Sequence, residues 1–439
     1  MQTKPNQVKM SVSGAFLLAG CVAVVLSACG GGSNEFTDDR SATVAAPLAS
    51  GVTVLALEST ALADDVASLT VQPTFQVAPM FMDEPDDADA NGNATSARRT
   101  PHTKPVPDEL DDLSTHQLTT QTQEGVRLTR LMRSMSADGA LPSEATVSPM
   151  AAGSVVATYT PAQIRAAYGL PALPSAGAVL SPAQAAMLGA GQTIYVIGAR
   201  HNPNAAAELA AFNQKFGLPT CTTKAISTSA SLPLPAASTS GCEFSVVYNN
   251  AKGAMTTTAP LFDAGWSTEM ALDVQWAHAT APLARIILIE AADPMINNLL
   301  GSVKLANAMG PGAVSMSFGT LEGSWTASVD SAFSASNMTY LAATGDSGAA
   351  VSWPAVSTKV LAVGGTSLTY TGMGARSEVG WSGTGGGTSL YTPVPVYQNV
   401  TVPGMGGVRN RTVADVAFNA DPATGQYVAV ITPGSSAVK

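Results

Sequence analysis

Two carboxylates lie four residues apart in the middle of the chain. They are Glu269 and Asp273, in the run that begins at Trp266. On a helix, residues i and i+4 share a face, with β-carbons about 5–6 Å apart. Two carboxylates that close repel each other, so the pair titrates as a unit and can act as general base at a pH where histidine is already protonated. The same spacing also fits two hydrated acids on an exposed helix face, but the apolar neighbours Met270 and Leu272 favour a buried pair.

A third carboxylate, Asp346, stands in the run Thr344-Gly345-Asp346-Ser347-Gly348, directly after a predicted strand. Active sites form where strands end in an α/β fold, so this position favours a catalytic role. An Asp that closes a loop as an Asx-turn is the alternative. Gly-Asp-Ser-Gly also matches the nucleophile motif of trypsin-like proteases. We reject that match because those enzymes are β-barrels, whereas this chain alternates strands with helices.

The elements that must position these acids follow from apolar runs and helical periodicity. Strands are predicted at Thr193–Gly198, Arg285–Ile289, Ala313–Phe318 and Thr339–Ala343. Helices are predicted at Asn204–Phe216, Ser267–Ala279, Asn297–Met309 and Ser328–Asn337. Strands separated by helices of this length form parallel βαβ units. The sequence therefore predicts an α/β fold with a parallel sheet, helices on both faces, and a site at the carboxyl ends of the strands.

Seven groups of short motifs, in one order, resemble the sedolisin or serine-carboxyl peptidase family across residues 158–439. They are Tyr159-Thr160-Pro161 with Ala167-Tyr168-Gly169, Glu269-x-x-x-Asp273 leading into His278-Ala279-x-Ala281-Pro282, Val314 to Gly319, Gly345 to Gly348, Val360 to Thr366, Gly385 to Gly387, and Ala414 to Gly425. The resemblance implies a subtilisin-like fold, an amino-terminal propeptide removed on activation, and endopeptidase activity on polypeptides at acid pH.

The resemblance also implies roles for individual residues. Glu269 is the general base of a Ser/Glu/Asp triad, Asp273 the acid that supports it, and Asp346 the oxyanion-hole group. Asp346 must be protonated to donate a hydrogen bond to a developing oxyanion, which suits low pH. The implied substrate-binding residues are a strand edge and part of a glycine-rich loop: Ser315, Met316, Ser317, Phe318, Gly319, Gly386 and Gly387.

An ordinary subtilisin triad does not fit the sequence. That triad needs an Asp near the end of the first core strand and then a His. Here the first strand runs into Gly198-Ala199-Arg200 without an acid, and His278 would lie off the Glu269/Asp273 face.

The family's nucleophilic Ser is not found at its expected place. It lies in a Gly-Thr-Ser segment that opens a helix beyond the last motif, and the chain ends 14 residues after Gly425. Four other serines lack the right context: Ser347, Ser367, Ser389 and Ser436. We therefore expect a carboxyl-truncated precursor that is inactive by itself. The family's calcium site would lie beyond the same end, so no cofactor is expected in this chain. A non-catalytic, membrane-tethered peptide-binding pseudopeptidase is the alternative.

The amino terminus has the features of an export signal. Lys4 and Lys9 precede an apolar stretch from about Val12, which ends in Leu26-Ser27-Ala28-Cys29. This ending resembles the bacterial lipobox, which predicts a signal peptide at residues 1–28, lipid on Cys29 and a flexible tether at residues 29–44. An ordinary signal peptide is the alternative. Either way the protein is expected to be exported, as a membrane-anchored lipoprotein or a secreted protein.

Export also determines how the remaining cysteines are interpreted. Cys221 and Cys242 are an even pair in an oxidising compartment, so a disulfide is predicted. Two buried free thiols are the alternative. No Cys/His cluster in the sequence has the spacing of metal ligands, so no metal site is expected.

Charge and composition limit the partners. The net charge of −10 argues against nucleic acid, which needs clustered Lys and Arg. Of the 31 acidic residues, 18 precede residue 150. Residues 45–157 are accordingly predicted to be an acidic, partly disordered pro-region with short strand-like runs such as Leu69 to Val71. Residues 158–439 are predicted to be the peptidase domain, incomplete at its carboxyl end. That domain contains few carboxylates, so little stability is lost when carboxylates take up protons at low pH. A monomer is expected.

Overall fold

A computed structural model of the protein describes residues 63–73, 102–105, 155–175, 177–370, 372, 376–398 and 407–431. The chain divides after Gly51 into two units, and every described residue lies in the second. The predicted signal peptide, the tether, Cys29 and Ser436 lie outside the described residues. The boundaries of the pro-region and the peptidase domain stay predictions.

Short strands alternate with helices along the described chain. The strands are β1 (Gln72–Pro73), β2 (His102–Pro105), β3 (Val155–Thr158), β4 (Thr193–Ala199), β5 (Cys221–Thr223), β6 (Cys242–Asn249), β7 (Met255–Thr256), β8 (Arg285–Ala291), β9 (Gly312–Met316), β10 (Phe318–Leu321), β11 (Met338–Ala343), β12 (Ser352–Trp353), β13 (Leu361–Thr369), β14 (Ser377–Gly380), β15 (Gly387–Pro393), β16 (Asn410–Val413) and β17 (Val416–Asn419). The α-helices are α1 (Asp64–Ala67), α2 (Pro161–Ala167), α3 (Pro182–Met187), α4 (Ala205–Phe216), α5 (Ala264–Thr280), α6 (Ile296–Met309) and α7 (Thr326–Val329). Single 3₁₀ turns follow at Asp330–Phe333, Val396–Gln398 and Pro422–Thr424.

The main sheet confirms the predicted α/β class. Its strands follow the order β14-β13-β11-β9-β4-β8-β6-β5, and all neighbours from β13 to β5 are parallel. In the centre, the four side chains from Ile286 to Ile289 on β8 are fully buried. Such an uninterrupted apolar run is typical of a parallel strand covered on both faces.

Helices cover both faces of the sheet, as predicted. Successive side chains of a strand point to opposite faces. On β4, a side chain added at Gly198 would meet Met270 of α5, whereas Tyr195 donates its hydroxyl to the carbonyl of Gly310, just past α6. Because Tyr195 and Gly198 are three positions apart, α5 and α6 lie on opposite faces.

The connection that contains α5 has an unusual hand. The α5 crossover from β6 to β8 and the α6 crossover from β8 to β9 run the same way across the sheet, but on opposite faces. The α4 crossover from β4 to β5 runs the other way on the α5 face, where the rings of Phe212 and Trp276 lie 6.0 Å apart. The α5 connection therefore differs in hand from both neighbours. Since parallel crossovers are right-handed by rule, α5 is the left-handed exception.

Two predicted elements need correction. The helix predicted at Ser328–Asn337 is wrong, because α7 ends at Val329 and is followed by a single 3₁₀ turn at Asp330–Phe333. The polar residues there favour caps and turns over helix interior, and Asn337 adopts a left-handed φ of 59°. The strand predicted at Ala313–Phe318 is interrupted at Ser317, which separates β9 from β10. The other predicted strands and helices of the sheet agree within about three residues.

Within the described residues, no helix is both long enough and apolar enough to span a lipid bilayer.

Candidate active site

The helix α5 carries the first two acids. Its amino end is capped by Asp263, whose side chain accepts a hydrogen bond from the Trp266 amide at 3.0 Å. Glu269 and Asp273 lie one turn apart in its first ten residues, on the side of the sheet where strands end. Glu269 is only 2% exposed, and its Oε2 has no hydrogen-bond partner among the described residues. The alternative of two hydrated acids on an exposed face is therefore wrong for Glu269.

Burial changes the protonation of both acids. It raises the pKa of Asp273 to about 7, because the charged form loses water. Burial also raises the pKa of Glu269 well above its usual value, and the negative charges of Asp273 and then Asp346 raise it further. Desolvation and the charges of its two neighbours therefore all favour the protonated form of Glu269.

Asp346 follows β11 in a loop that faces the same cluster. Its Oδ2 is buried without a hydrogen-bond partner among the described residues, and burial raises its pKa to about 7. Its effect on the Glu269 pKa shows that the two acids are within electrostatic reach of each other. The structure thus brings together the three acids that the sequence selected.

Ser317 links the acids to the predicted substrate strand. Its hydroxyl donates to Asp273 Oδ1 at 2.7 Å, and its hydrogen bonding lowers the pKa of both Asp273 and Glu269. The sequence predicts Ser317 on the substrate edge but does not reveal this contact. The available signal was the alternation of Ser315 and Ser317 with three apolar residues, which puts both hydroxyls on one face of the strand.

The glycine-rich loop packs against the backbone just before Asp346. The Gly385 amide donates to the Gly345 carbonyl at 2.5 Å, and the Gly386 amide to the Ala350 carbonyl at 3.0 Å. A β-carbon at Gly385 would lie 2.0 Å from the Thr344 carbonyl oxygen, so only glycine fits there. The predicted substrate residues Gly386 and Gly387 therefore follow directly on a segment fixed against the Asp346 loop.

His278 takes no part in this cluster. It lies nine residues beyond Glu269, about 13 Å along the helix axis. Its ring nitrogens contact Cys221 Sγ at 3.3 Å and the Pro219 carbonyl at 2.8 Å. Burial lowers the pKa of His278 to about 4, so the ring is neutral above that pH. Its contacts are those of a neutral, buried side chain that holds α5 against residues 219–221.

Two of the candidate serines are bonded to other acids. Ser367 donates to Asp421, and Ser389 donates to Glu322. Both hydroxyls are therefore engaged by acids other than Glu269.

Cys221 and Cys242 are joined in a disulfide, with α-carbons 4.5 Å apart. Together with His278 they form a group of potential metal ligands by proximity. A disulfide sulfur is not a thiolate, so this group offers at most one imidazole nitrogen, and the residues present do not fit a metal ion.

A second buried acid group, which no sequence motif indicates, lies at the same edge of the sheet. Glu290, fully buried at the end of β8, accepts from the Asn202 amide at 2.9 Å and pairs with His201 Nδ1 at 2.6 Å. Buried Glu208 accepts from the Asn202 side chain. Each carboxyl group is satisfied by neighbours, so the group holds the loop after β4 in place.

Comparison with known proteins supports the family resemblance. Kumamolisin from Bacillus sp. (strain MN-32) is 36% identical over 203 residues, which cover 39% of this chain and 37% of kumamolisin. Sedolisin from Pseudomonas sp. (strain 101) is 42% identical over 89 residues, or 18% of this chain and 15% of sedolisin. The matches thus span less than half of either relative. No protein-family model matches the chain.

Among solved structures, Pseudomonas sedolisin, a serine-carboxyl proteinase complexed with two molecules of pseudo-iodotyrostatin, aligns at 22% identity with a TM-score of 0.47. The alignment covers 62% of this chain and 73% of that chain. The two sequence matches confirm the predicted resemblance to the sedolisin family.

Proposed function

We propose that this chain is the precursor of an acid-acting serine-carboxyl endopeptidase and supplies every catalytic group except the nucleophile. The observation that carries the proposal is the cluster of Glu269, Asp273 and Asp346, sequestered beside a predicted substrate strand with raised pKa values. Desolvated acids with perturbed pKa values at the carboxyl edge of a parallel sheet are typical of catalytic sites.

Each acid has a distinct task. A serine hydroxyl attacks the peptide carbonyl and gives its proton to Glu269, which later passes that proton to the leaving amine. Asp273, hydrogen-bonded by Ser317, orients Glu269 and stabilises its protonated state. Asp346 donates its own proton in a hydrogen bond to the carbonyl oxygen as that oxygen becomes negative.

The pKa values set the working pH. Asp346, with a pKa of about 7, is protonated in acid and loses its donor proton above that pH. The Glu269/Asp273 pair must keep one negative charge to accept the serine proton. Activity is therefore expected to fall above about pH 7, where Asp346 loses its donor proton.

We propose that the attacking serine is none of the four serines considered above. Purified residues 30–439 are therefore expected not to cleave peptides near pH 4, and cleavage by them would contradict this part of the proposal. Reading the gene beyond codon 439 provides the positive test. If a Gly-Thr-Ser segment follows, the extended protein should hydrolyse peptides in acid.

Variants of the extended protein test the assigned roles. Glu269→Gln and Asp346→Asn are each expected to lower kcat/KM by on the order of 10²–10³. Glu243→Gln, which removes a surface partner of Lys224, is the matched control and should leave kcat/KM unchanged. Wild-type rates in either acid variant would refute the mechanism.

A peptide-binding module without chemistry is the second candidate. It is favoured by the way the edge of β10 pairs with an extended segment at β1, which requires no nucleophile. A true stop after codon 439, with peptide binding but no hydrolysis, would support it.

Export and lipid attachment at Cys29 also belong to this proposal, on the strength of the basic, apolar and lipobox-like amino terminus. Mass spectrometry of protein purified from membranes should find a diacylated Cys29. An unmodified terminus at another residue would refute the anchor.

A further inference from the structure

A disulfide and a buried imidazole lie side by side where the edge of the main sheet meets α5. Cys221 begins β5, the last strand of the sheet, and is bonded to Cys242 at the start of β6. His278, near the carboxyl end of α5, is fully buried, and its Nδ1 lies 3.3 Å from Cys221 Sγ. These three side chains have no task in the proposed peptide hydrolysis.

The contacts of His278 determine which of its ring nitrogens carries the hydrogen. Nε2 lies 2.8 Å from the Pro219 carbonyl oxygen, and a carbonyl oxygen can only accept, so Nε2 carries a hydrogen and donates it. Burial lowers the pKa of His278 to about 4, so at neutral pH the ring holds only that one hydrogen. Nδ1 is therefore a bare acceptor that faces Cys221 Sγ.

The disulfide gives this acceptor nothing to accept. A disulfide sulfur carries no hydrogen, so the contact between Nδ1 and Sγ is not a hydrogen bond in the oxidised chain. A thiol at Cys221 would have a hydrogen to donate to Nδ1. Because a buried acceptor without a donor is costly, this position suits a thiol better than it suits a disulfide.

One of the two sulfurs is open to attack from solution. Cys221 is half-buried and is followed by the exposed residues Thr222 and Thr223, whereas Cys242 is only 3% exposed. Thiol–disulfide exchange depends on access to the sulfur that is attacked. An incoming thiolate is therefore expected to attack Cys221, with Cys242 as the leaving group.

We propose that the disulfide between Cys221 and Cys242 is a redox site that exchanges with small-molecule thiols, and that His278 stabilises its reduced form. A thiolate attacks the Cys221 sulfur, the bond between the two cysteine sulfurs breaks, and Cys242 leaves as a thiolate that takes a proton from water. A second thiolate attacks the outer sulfur of the mixed disulfide and releases Cys221, which also takes a proton and then donates it in a hydrogen bond to Nδ1. The chain gains two electrons and two protons, and two small thiols become one small disulfide.

Reduction would move the attachment of β5 from one neighbour to another. In the oxidised chain a covalent bond joins β5 to β6, where Cys221 and Cys242 are register partners. In the reduced chain the hydrogen bond from Cys221 to His278 joins β5 to α5, the helix that also carries two of the clustered acids. This inference needs no peptide hydrolysis, so its failure and the failure of the proposed function are separate results.

The test brings the full chain to equilibrium with mixtures of reduced and oxidised glutathione at pH 7. Alkylation and mass spectrometry then give the reduced fraction of Cys221 and Cys242. In His278→Phe the dithiol loses its acceptor, so the equilibrium constant for reduction should fall by about fivefold. Ala279→Gly is the matched control, because Ala279 packs in another apolar cluster with Phe212, and it should keep the wild-type constant. An unchanged or larger constant in His278→Phe would overturn the proposal.

The intermediate tests the order of attack. Brief treatment of the wild-type chain with reduced glutathione, stopped with acid, should leave glutathione attached to Cys221. Glutathione found mainly on Cys242 would contradict the argument from access.

Nitrogen NMR of the wild-type chain gives a readout that holds even if His278→Phe does not fold. Nε2 of His278 should carry its hydrogen in both redox states, because the Pro219 carbonyl accepts it in both. The Nδ1 resonance should be that of a bare acceptor in the oxidised chain and should shift to that of a hydrogen-bonded acceptor on reduction. A hydrogen on Nδ1 in the oxidised chain, or a resonance that reduction leaves unchanged, would overturn the proposal.

Discussion

The pKa of Asp346 makes the stability of the fold depend on pH in a direction that can be measured. Its carboxyl group has a pKa of about 7 in the folded chain against 3.8 for an ordinary Asp. Between these values the folded protein keeps a proton that the unfolded chain has released. Stability contributed by this group is therefore complete below about pH 4, falls as pH rises, and is lost above about pH 7.

The size of the effect follows from the difference between the two pKa values. A difference of about 3 pKa units corresponds to roughly 4 kcal/mol of unfolding free energy for this one residue. Asp273, whose pKa is also about 7, adds a penalty of the same sign. We expect the wild-type protein to be several kcal/mol less stable at pH 8 than at pH 4.

The perturbation that isolates the effect is Asp346→Asn. Asparagine has nearly the same shape as the protonated acid but does not titrate. The variant should match the wild type within about 1 kcal/mol at pH 4 and exceed it by roughly 4 kcal/mol at pH 8. Urea unfolding followed by tryptophan fluorescence at pH 4, 5, 6, 7 and 8 measures both curves.

Two results would refute the reasoning. Parallel curves for wild type and Asp346→Asn would mean that the carboxyl group is hydrated in the folded state. A variant that is less stable at every pH would mean that the group is ionised and bonded. Glu243→Gln serves as control, since its surface ion pair contributes at most about 1 kcal/mol at any pH.

Two further predictions concern the packing of the fold. Gly385→Ala should disrupt the Asp346 loop and lower the free energy of unfolding by about 2 kcal/mol or more, because the added carbon meets a backbone oxygen at 2.0 Å. Gly380→Ala, with open space around it, is the control and should change that free energy by less than about 1 kcal/mol. Thermal unfolding compares the two variants, and equal melting temperatures would contradict the packing argument. Replacing both Cys221 and Cys242 by serine should lower the free energy of unfolding by about 3 kcal/mol, because the disulfide no longer closes its loop in the unfolded chain. Urea unfolding with and without reductant measures the effect. A wild-type midpoint in the double variant would show that the disulfide is dispensable.

Much of the fold was predictable because its signals are local. The four consecutive apolar side chains from Ile286 are typical of a strand buried on both faces, and helix-length spacers predicted the parallel pairing. The acids were found by two equally local rules, helical spacing for Glu269 and Asp273 and a strand end for Asp346.

The rest depends on tertiary structure that no local pattern encodes. The bond from Ser317 to Asp273 joins residues 44 positions apart and needs a break between β9 and β10. Strand β1 is two residues long, and its position depends on its pairing with β10 and on the bridge from nearby Thr70 to Met295. The hand of the α5 connection also follows from packing, since the general rule predicts the opposite.

The long helix α5 and the start of the peptidase-like body both bond to residues 425–429, which are synthesised much later. The Tyr159 amide donates to the Gly425 carbonyl at 2.9 Å, and on α5 the Gln275 side chain donates to Ala429 at 2.7 Å. Residues more than 150 positions apart must therefore meet before the helix with Glu269 is fully enclosed. During synthesis at about 5–20 residues per second, many seconds pass between the synthesis of α5 and the emergence of residues 425–429 from the ribosome. A nascent chain is thus expected to complete the packing around α5 only after that segment has emerged.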